Sequence, residues 1–281
     1  MIYYAVKNAR KVFRIPGRKT PFTAVNDVSL DIMSGETYGL VGESGCGKTT
    51  LVRMMLGLQP ADQGEFILLG KAVNWKSRTH LLELYREVQM VFQDPYSSLN
   101  PRLRILEVFR ELYQFLPGRD GTKSFEPWVE NLFNQVGLSG DFLRRYPFQL
   151  SGGQRQRVAI ARALSVYPGM LILDEAVSAL DVSIQAQILE LFTELQHKLN
   201  LTYMFISHNL AVIRLLANRV GIMLQGTLVE EGTAKEIYHH PQHPYSKNLL
   251  EVAEKIIVEM DSINPPENSG KVQELFPGCG S

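Results

Sequence analysis

Long apolar runs are the first thing this sequence lacks. Of its 281 residues 45% are hydrophobic, yet no stretch approaches the ~18 consecutive apolar residues that a spanning helix needs. The start, MIYYAVKNARKVF, places no apolar h-region behind a basic n-region, so a secretory signal is not expected. Charge of one sign is not in excess either: Lys plus Arg and Asp plus Glu are both 29. A chain that works by coating nucleic acid usually carries a basic excess, so no nucleic-acid partner is expected. Cysteine is scarce. Cys46 and Cys279 lie far apart and offer neither a disulfide framework nor a C-x-x-C metal site. No internal repeat is visible. The expected compartment is the cytoplasm, and any service to a membrane would run through a partner.

What is present is enough apolar material for a sizeable core, arranged as strands alternating with helices. Val28 to Ile32 alternates like a strand. Short apolar runs follow at Tyr38 to Val41, Phe66 to Leu69, Val88 to Phe92, Met170 to Leu173, Tyr203 to Ile206 and Val220 to Leu224. Runs of this kind read as buried parallel strands, covered by helices on both faces. Ser183 to Asn200 is the clearest helix, with Ile184, Ile188, Leu191, Leu195 and Leu199 at helical spacing. The pattern predicts an α/β layered core. From Pro95 to about Arg145 the rhythm breaks into helix-like segments, Ile105 to Phe115 and Glu126 to Val136, with no convincing strand. This stretch reads as an inserted helical subdomain. After Gly232 a short helical tail precedes a Pro- and polar-rich end, Asn264 to Ser281, expected to be extended.

Gly42-Glu43-Ser44-Gly45-Cys46-Gly47-Lys48-Thr49 fits G-x-x-x-x-G-K-[ST], follows a predicted strand and opens a helical run, Thr50 to Leu56. Glycines let such a backbone curl so that successive N–H groups face phosphate oxygens, and the following helix adds its positive N-terminal end. Lys48 would reach the β- and γ-phosphates and the Thr49 hydroxyl would ligate Mg²⁺. Cys46 reads as a small filler in this loop. A loop of this kind does not by itself separate kinases, GTPases and transport ATPases.

Leu150-Ser151-Gly152-Gly153-Gln154 does. Ser151 is a good N-cap, the glycines permit close approach, and Val158 to Leu164 continues as a helix, so the chain carries a second anion-binding helix start. These five residues resemble the LSGGQ signature of the ATP-binding cassette (ABC) family. The resemblance implies a P-loop NTPase (RecA-like) α/β core with antiparallel β elements and an inserted α-helical subdomain. It also implies that the signature contacts the γ-phosphate held by an opposite subunit. Leu171-Ile172-Leu173-Asp174-Glu175, an apolar strand ending in two acids, resembles the Walker B motif. Asp174 would then hold Mg²⁺ and Glu175 would act as general base toward water, although two carboxylates leaving a strand could also be a solvated strand end.

Further positions carry over from the resemblance. Gln93 matches the Q-loop glutamine, which senses Mg²⁺ and the γ-phosphate. Ser178-Ala179-Leu180-Asp181 matches the D-loop, and His208 matches the switch histidine. Phe13 is the better positional match for the aromatic that stacks on adenine, and Phe22 is the alternative. Two departures stand out: Ala176-Val177 where Pro-Thr is common, which puts only the local turn in doubt, and Asn209 where Asp is common.

The segment Asp94 to Arg102 and the tail element His240 to Ser246, with Leu249-Leu250 after it, resemble dipeptide, oligopeptide and nickel importer ATPases. His239, His240 and His243 are interspersed with prolines and lack the helical spacing of a metal site. One cysteine near the end, Cys279, is too few for an iron–sulfur cluster. The expected division is 1–94 with 166–235 as the nucleotide-binding core, 95–165 as the signature subdomain and 236–281 as a C-terminal extension. The implied function is to bind and hydrolyse ATP, with Mg²⁺ as cofactor, for a peptide or related importer, nickel included. The implied partners are a second cassette (a sister chain or a second copy), two transmembrane permease subunits and, indirectly, an extracytoplasmic solute-binding protein, at the cytoplasmic face of the membrane. A DNA-repair or translation cassette would carry a coiled-coil insertion or a tandem cassette, and neither appears. A P-loop kinase or GTPase would leave LSGGQ without a role.

Overall fold

A computed structural model describes residues 1–14, 16–17, 20–93, 99–114, 116 and 124–251. Cys279, the Pro- and polar-rich end Asn264 to Ser281 and Asp94 to Ser98 lie outside them.

Two sheets form the scaffold. The smaller has the order β2-β1-β4-β5 and the larger the order β10-β9-β3-β8-β7-β6. The smaller sheet consists of β1 (Ile2–Phe13), β2 (Phe22–Met33), β4 (Gln63–Leu68) and β5 (Lys71–Ala72), paired antiparallel throughout. In the larger, β3 (Thr37–Val41), β6 (Val88–Val91), β7 (Met170–Asp174), β8 (Thr202–Ser207) and β9 (Arg219–Leu224) run parallel. The edge strand β10 (Thr227–Thr233) pairs antiparallel with β9.

Phe66 to Leu69 corrects the reading of that run as a buried parallel strand. It lies in β4 and pairs antiparallel with β1, and Leu69 leaves the strand at φ 49°. A short apolar run records burial but not the direction of its neighbour. The strand β1 itself is masked in the sequence by its charges and by an irregularity of register between Val6 and Ala9, where Asn8 takes φ 49°.

The central strands are apolar at successive positions because side chains alternate between two covered faces. Ile172, Met204 and Ile206 face the antiparallel sheet and α1 (Lys48–Met55), packing with Tyr4, Val28, Leu51, Met55 and Phe66. Leu171, Leu173, Tyr203 and Phe205 belong to the opposite core, with Phe192 of α6 (Val182–Leu199) and Ile213 of α7 (Leu210–Leu216).

Between β6 and β7 the described residues contain helices and turns only: α3 (Ile105–Gln114), α4 (Phe125–Gln135), 3-10 turns at Gly140–Arg144 and Pro147–Gln149, and α5 (Gly152–Leu164). The helix α2 (Arg78–Glu87) precedes β6. An aromatic cluster joins α3 to α4, with Phe109 and Phe133 edge to face at 5.3 Å and Tyr113 and Trp128 at 5.1 Å. The Arg157 guanidinium ties α5 back to the end of α4 by donating to the Val136 carbonyl at 2.6 Å. Beyond β10, α8 (Ala234–His239) and a helical stretch at 244–251 return to the core.

Candidate active site

Four of the chemistry-bearing positions named from the sequence lie at or just beyond the carboxyl ends of parallel strands. Gly42 follows β3, Gln93 comes shortly after β6, Asp174 ends β7 with Glu175 next, and His208 follows β8. In open α/β sheets ligands bind outside these strand ends.

The loop from Gly42 to Lys48 is curled around the Lys48 ammonium. Buried Lys48 donates from Nζ to the Gly42 carbonyl at 2.6 Å and to the Glu43 carbonyl at 2.9 Å, and lies 3.6 Å from Cys46 Sγ. Glycine is required at two of these positions. Gly42 has φ 155° and Gly47 has φ 113°. A Cβ at Gly42 would collide with the Met223 carbonyl, and one at Gly47 with the Ala24 carbonyl. Gly47 is also the N-cap of α1 and supplies no side-chain acceptor. The first N–H groups of α1 therefore remain available to an anion, with the helix dipole behind them. Thr49 is exposed at that helix start and Thr50 is half-buried.

Asp174 and Glu175 are both half-buried, which argues against a merely solvated strand end. Burial raises the Asp174 pKa, the neighbouring charge of Glu175 raises it further, and Lys48 and Arg53 partly offset this. A divalent cation would relieve the same penalty, so the Asp174 carboxylate fits as one oxygen donor to Mg²⁺. No group of three or more His, Cys, Asp or Glu residues able to hold a metal occurs among the described residues, and phosphate oxygens would have to complete the coordination.

Glu175 adopts φ 49°, an uncommon backbone state for a non-glycine residue. Its N–H donates to the Ile206 carbonyl at 2.9 Å, and its Oε1 lies 3.0 Å from His208 Nδ1. The turn after it forms with Ala176 and Val177 in place: Ser178 N–H donates to the Glu175 carbonyl and Leu180 N–H to the Val177 carbonyl. Gln93 Nε2 donates to Ser178 Oγ at 3.2 Å, and Ser178 Oγ donates to the Glu175 carbonyl at 3.0 Å. Ser178 thus links Gln93 to Glu175, a role that motif matching did not single out. Asn209 caps α7 by accepting the Ala211 N–H at 2.9 Å, a role that Asn and Asp fill alike.

Ser151 accepts the Gln154 N–H while Gln154 accepts the Ser151 N–H, a closed capping box on α5. Asp181 caps α6 by accepting the Ile184 N–H at 3.0 Å. These two helix starts touch, because a Cβ at Gly153 would come within 2.7 Å of Ile184 Cγ2. Among the described residues no hydrogen bond joins 151–154 to 42–50.

Phe13 and Phe22 are cross-strand partners at the open end of the β1–β2 ribbon, with Phe13 half-buried and Phe22 exposed. Asp62, which belongs to no motif, fixes this end by accepting the Val12 N–H at 2.7 Å and pairing with Lys11 at 2.9 Å. The Lys11 ammonium lies 5.6 Å from the Phe13 ring centroid.

A P-loop on a central parallel strand, two acids at the end of β7 on the far side of β8, and LSGGQ opening a helix of an inserted helical region together define an ATP-binding cassette. The chain belongs to the ABC transporter family, which it matches over residues 25–178. It is 46% identical to the oligopeptide transport ATP-binding protein OppF of Bacillus subtilis, over 87% of this chain and 80% of that protein. It is likewise 46% identical to the dipeptide transport ATP-binding protein DppF of Lactococcus lactis, over 87% and 79%. Among solved structures, the ATP-binding cassette MJ0796, a dimer bound to ADP and Pi, matches with a TM-score of 0.72 and 27% identity, covering 82% of this chain and 98% of that one. The fold of CbiO1 from Clostridium perfringens matches at TM-score 0.74 over 94% and 96%, with 24% identity. The chain is thus an ABC ATPase and its ligand is a nucleotide. No helix among the described residues is long and apolar enough to cross a membrane.

Proposed function

We propose that the chain is the ATP-hydrolysing subunit of a peptide importer, peripheral to the cytoplasmic face of the membrane and coupled to two separate permease subunits. The transport names of OppF and DppF support peptides as the cargo in preference to nickel. The observation that carries the catalytic reading is the Glu175–His208 contact beside the Lys48-centred loop.

In this reading the Gly42–Thr50 loop cradles the phosphates, Lys48 neutralises the β- and γ-oxygens, and Phe13 stacks on the base. Thr49, Asp174 and Gln93 would hold Mg²⁺, which offsets charge on the transferring phosphoryl group. Glu175 accepts a proton from the attacking water, and His208 orients that carboxylate and meets the γ-phosphate. The signature, Ser151 to Gln154, acts on the nucleotide of a second cassette, with Asp181 along the shared face. The lack of any hydrogen bond between it and residues 42–50, among the described residues, and the dimeric state of MJ0796 support this. The proposed division keeps 95–165 as the signature subdomain and 236–281 as a C-terminal extension.

Purified chain should release phosphate from ATP only with Mg²⁺ and lose ATP binding on Lys48→Ala. Disruption of its gene should abolish uptake of labelled di- and oligopeptides. Intact peptide uptake in the disrupted strain would overturn the cargo assignment.

A further inference from the structure

The C-terminal element has no part in the chemistry above, yet one of its side chains reaches the phosphate loop. Tyr245 Oη accepts the main-chain N–H of Glu43 at 3.2 Å. That N–H belongs to the Gly42–Glu43 peptide, whose carbonyl accepts from Lys48 Nζ at 2.6 Å. One peptide plane is therefore held from both sides, by Tyr245 at its N–H and by Lys48 at its oxygen. Gly42, at φ 155°, has the backbone freedom to let this plane turn. Among the described residues the Tyr245 hydroxyl alone accepts from that N–H.

The tail is anchored well enough to serve as a support. Glu230 on β10 accepts the N–H groups of Gln242 at 2.7 Å and His243 at 3.1 Å, and His243 Nδ1 accepts the Tyr245 N–H at 3.2 Å. Leu250 is buried, and Tyr245 and Leu249 pack against the core. Burial raises the Tyr245 pKa, which keeps the hydroxyl neutral. The other end of the loop is held by the β9–β10 turn, where Gly226 N–H donates to the Cys46 carbonyl at 2.8 Å. The hairpin β9–β10 and the tail that follows it thus brace the loop at both Glu43 and Cys46.

We infer that Tyr245 is a positioning residue for nucleotide binding: its hydroxyl pins the Gly42–Glu43 peptide and, through that carbonyl, the Lys48 ammonium, so the C-terminal element tunes affinity for the triphosphate. This rests on the reading of Gly42–Thr50 as the ATP site.

The test uses the full chain, a fluorescent ATP analogue, and Tyr245→Phe, which removes one oxygen and keeps the ring. Loss of the hydrogen bond that orders the loop should weaken ATP binding and raise KM roughly three- to tenfold, with kcat unchanged and the thermal midpoint lowered by no more than about 2–4 °C. Amide exchange in a peptide spanning 38–48 should quicken. Glu230→Ala, which frees the tail without touching Tyr245, should shift affinity in the same direction and covers the case in which Tyr245→Phe misfolds. If wild type binds ATP, Lys48→Ala does not, and both tail variants bind like wild type, the positioning role is overturned while the ATP site stands. If folded wild type binds no ATP, the ATP-site reading fails and this inference with it.

Discussion

At Glu175 the backbone and the side chain are constrained together. The residue is held at φ 49° by its N–H bond to Ile206, and its carboxylate faces His208 at 3.0 Å. A backbone state that costs energy persists only where its surroundings fix it, and here it aims one carboxylate. Glu175→Gln keeps the shape and removes the base, so phosphate release should fall by at least about 100-fold while ATP binding survives. Asp174 behaves differently. Its raised pKa means that the native state binds the proton more tightly than the unfolded chain does. The resulting contribution to stability is complete below the ordinary carboxylate range and is lost as pH rises through the raised value. At neutral pH the charged carboxylate therefore costs stability in the nucleotide-free chain. Asp174→Asn should raise the thermal midpoint, by about 2–4 °C for each kcal/mol relieved, while abolishing Mg²⁺-dependent hydrolysis; an unchanged or lower midpoint at pH 7 would contradict the electrostatic account. Both acids were legible because the chemistry needs those residue types at that spacing. The φ of Glu175, the Ser178 link and the Asp62 clamp were not, because each depends on atoms that only the folded chain brings together.

At the scale of elements, the signature helix and the D-loop helix form one joint. Gly153→Ala would push a methyl group against Ile184 and should cost about 1–3 kcal/mol in denaturant unfolding. Ser151→Ala, which only opens the capping box, should cost about 1 kcal/mol. The two should not add, since both act where α5 starts. At the sheet rim, Phe13→Ala should raise the ATP dissociation constant roughly tenfold, in line with the worth of one stacked base, and Phe22→Ala should do so less. Equal effects would mean that the cross-strand pair acts as a unit. Helices α1, α5 and α6 were legible from periodicity and caps. The partner of β4 was not, since a short apolar run records burial without direction, and β1 stayed hidden behind Lys7, Arg10 and Lys11.

At the scale of the whole molecule, one chain carries two helix starts proposed to meet phosphate, and among the described residues no hydrogen bond joins them. Residues 42–50 lie at the carboxyl end of β3, while 151–154 pack against the start of α6. A second chain, turned to set its signature against this P-loop, would complete both sites at once. An isologous arrangement of this kind needs only one surface, used twice, and a sister cassette would present the equivalent one. Closure would have to draw Ser151 toward phosphate and so weaken its capping box. The most direct measurement of this claim is the mass in solution of the Glu175→Gln chain, by light scattering, with and without ATP, alone and with its sister cassette. A nucleotide-dependent dimer is expected, and Ser151→Arg should abolish it. A species that stays monomeric in saturating ATP, even beside the sister chain, would contradict it.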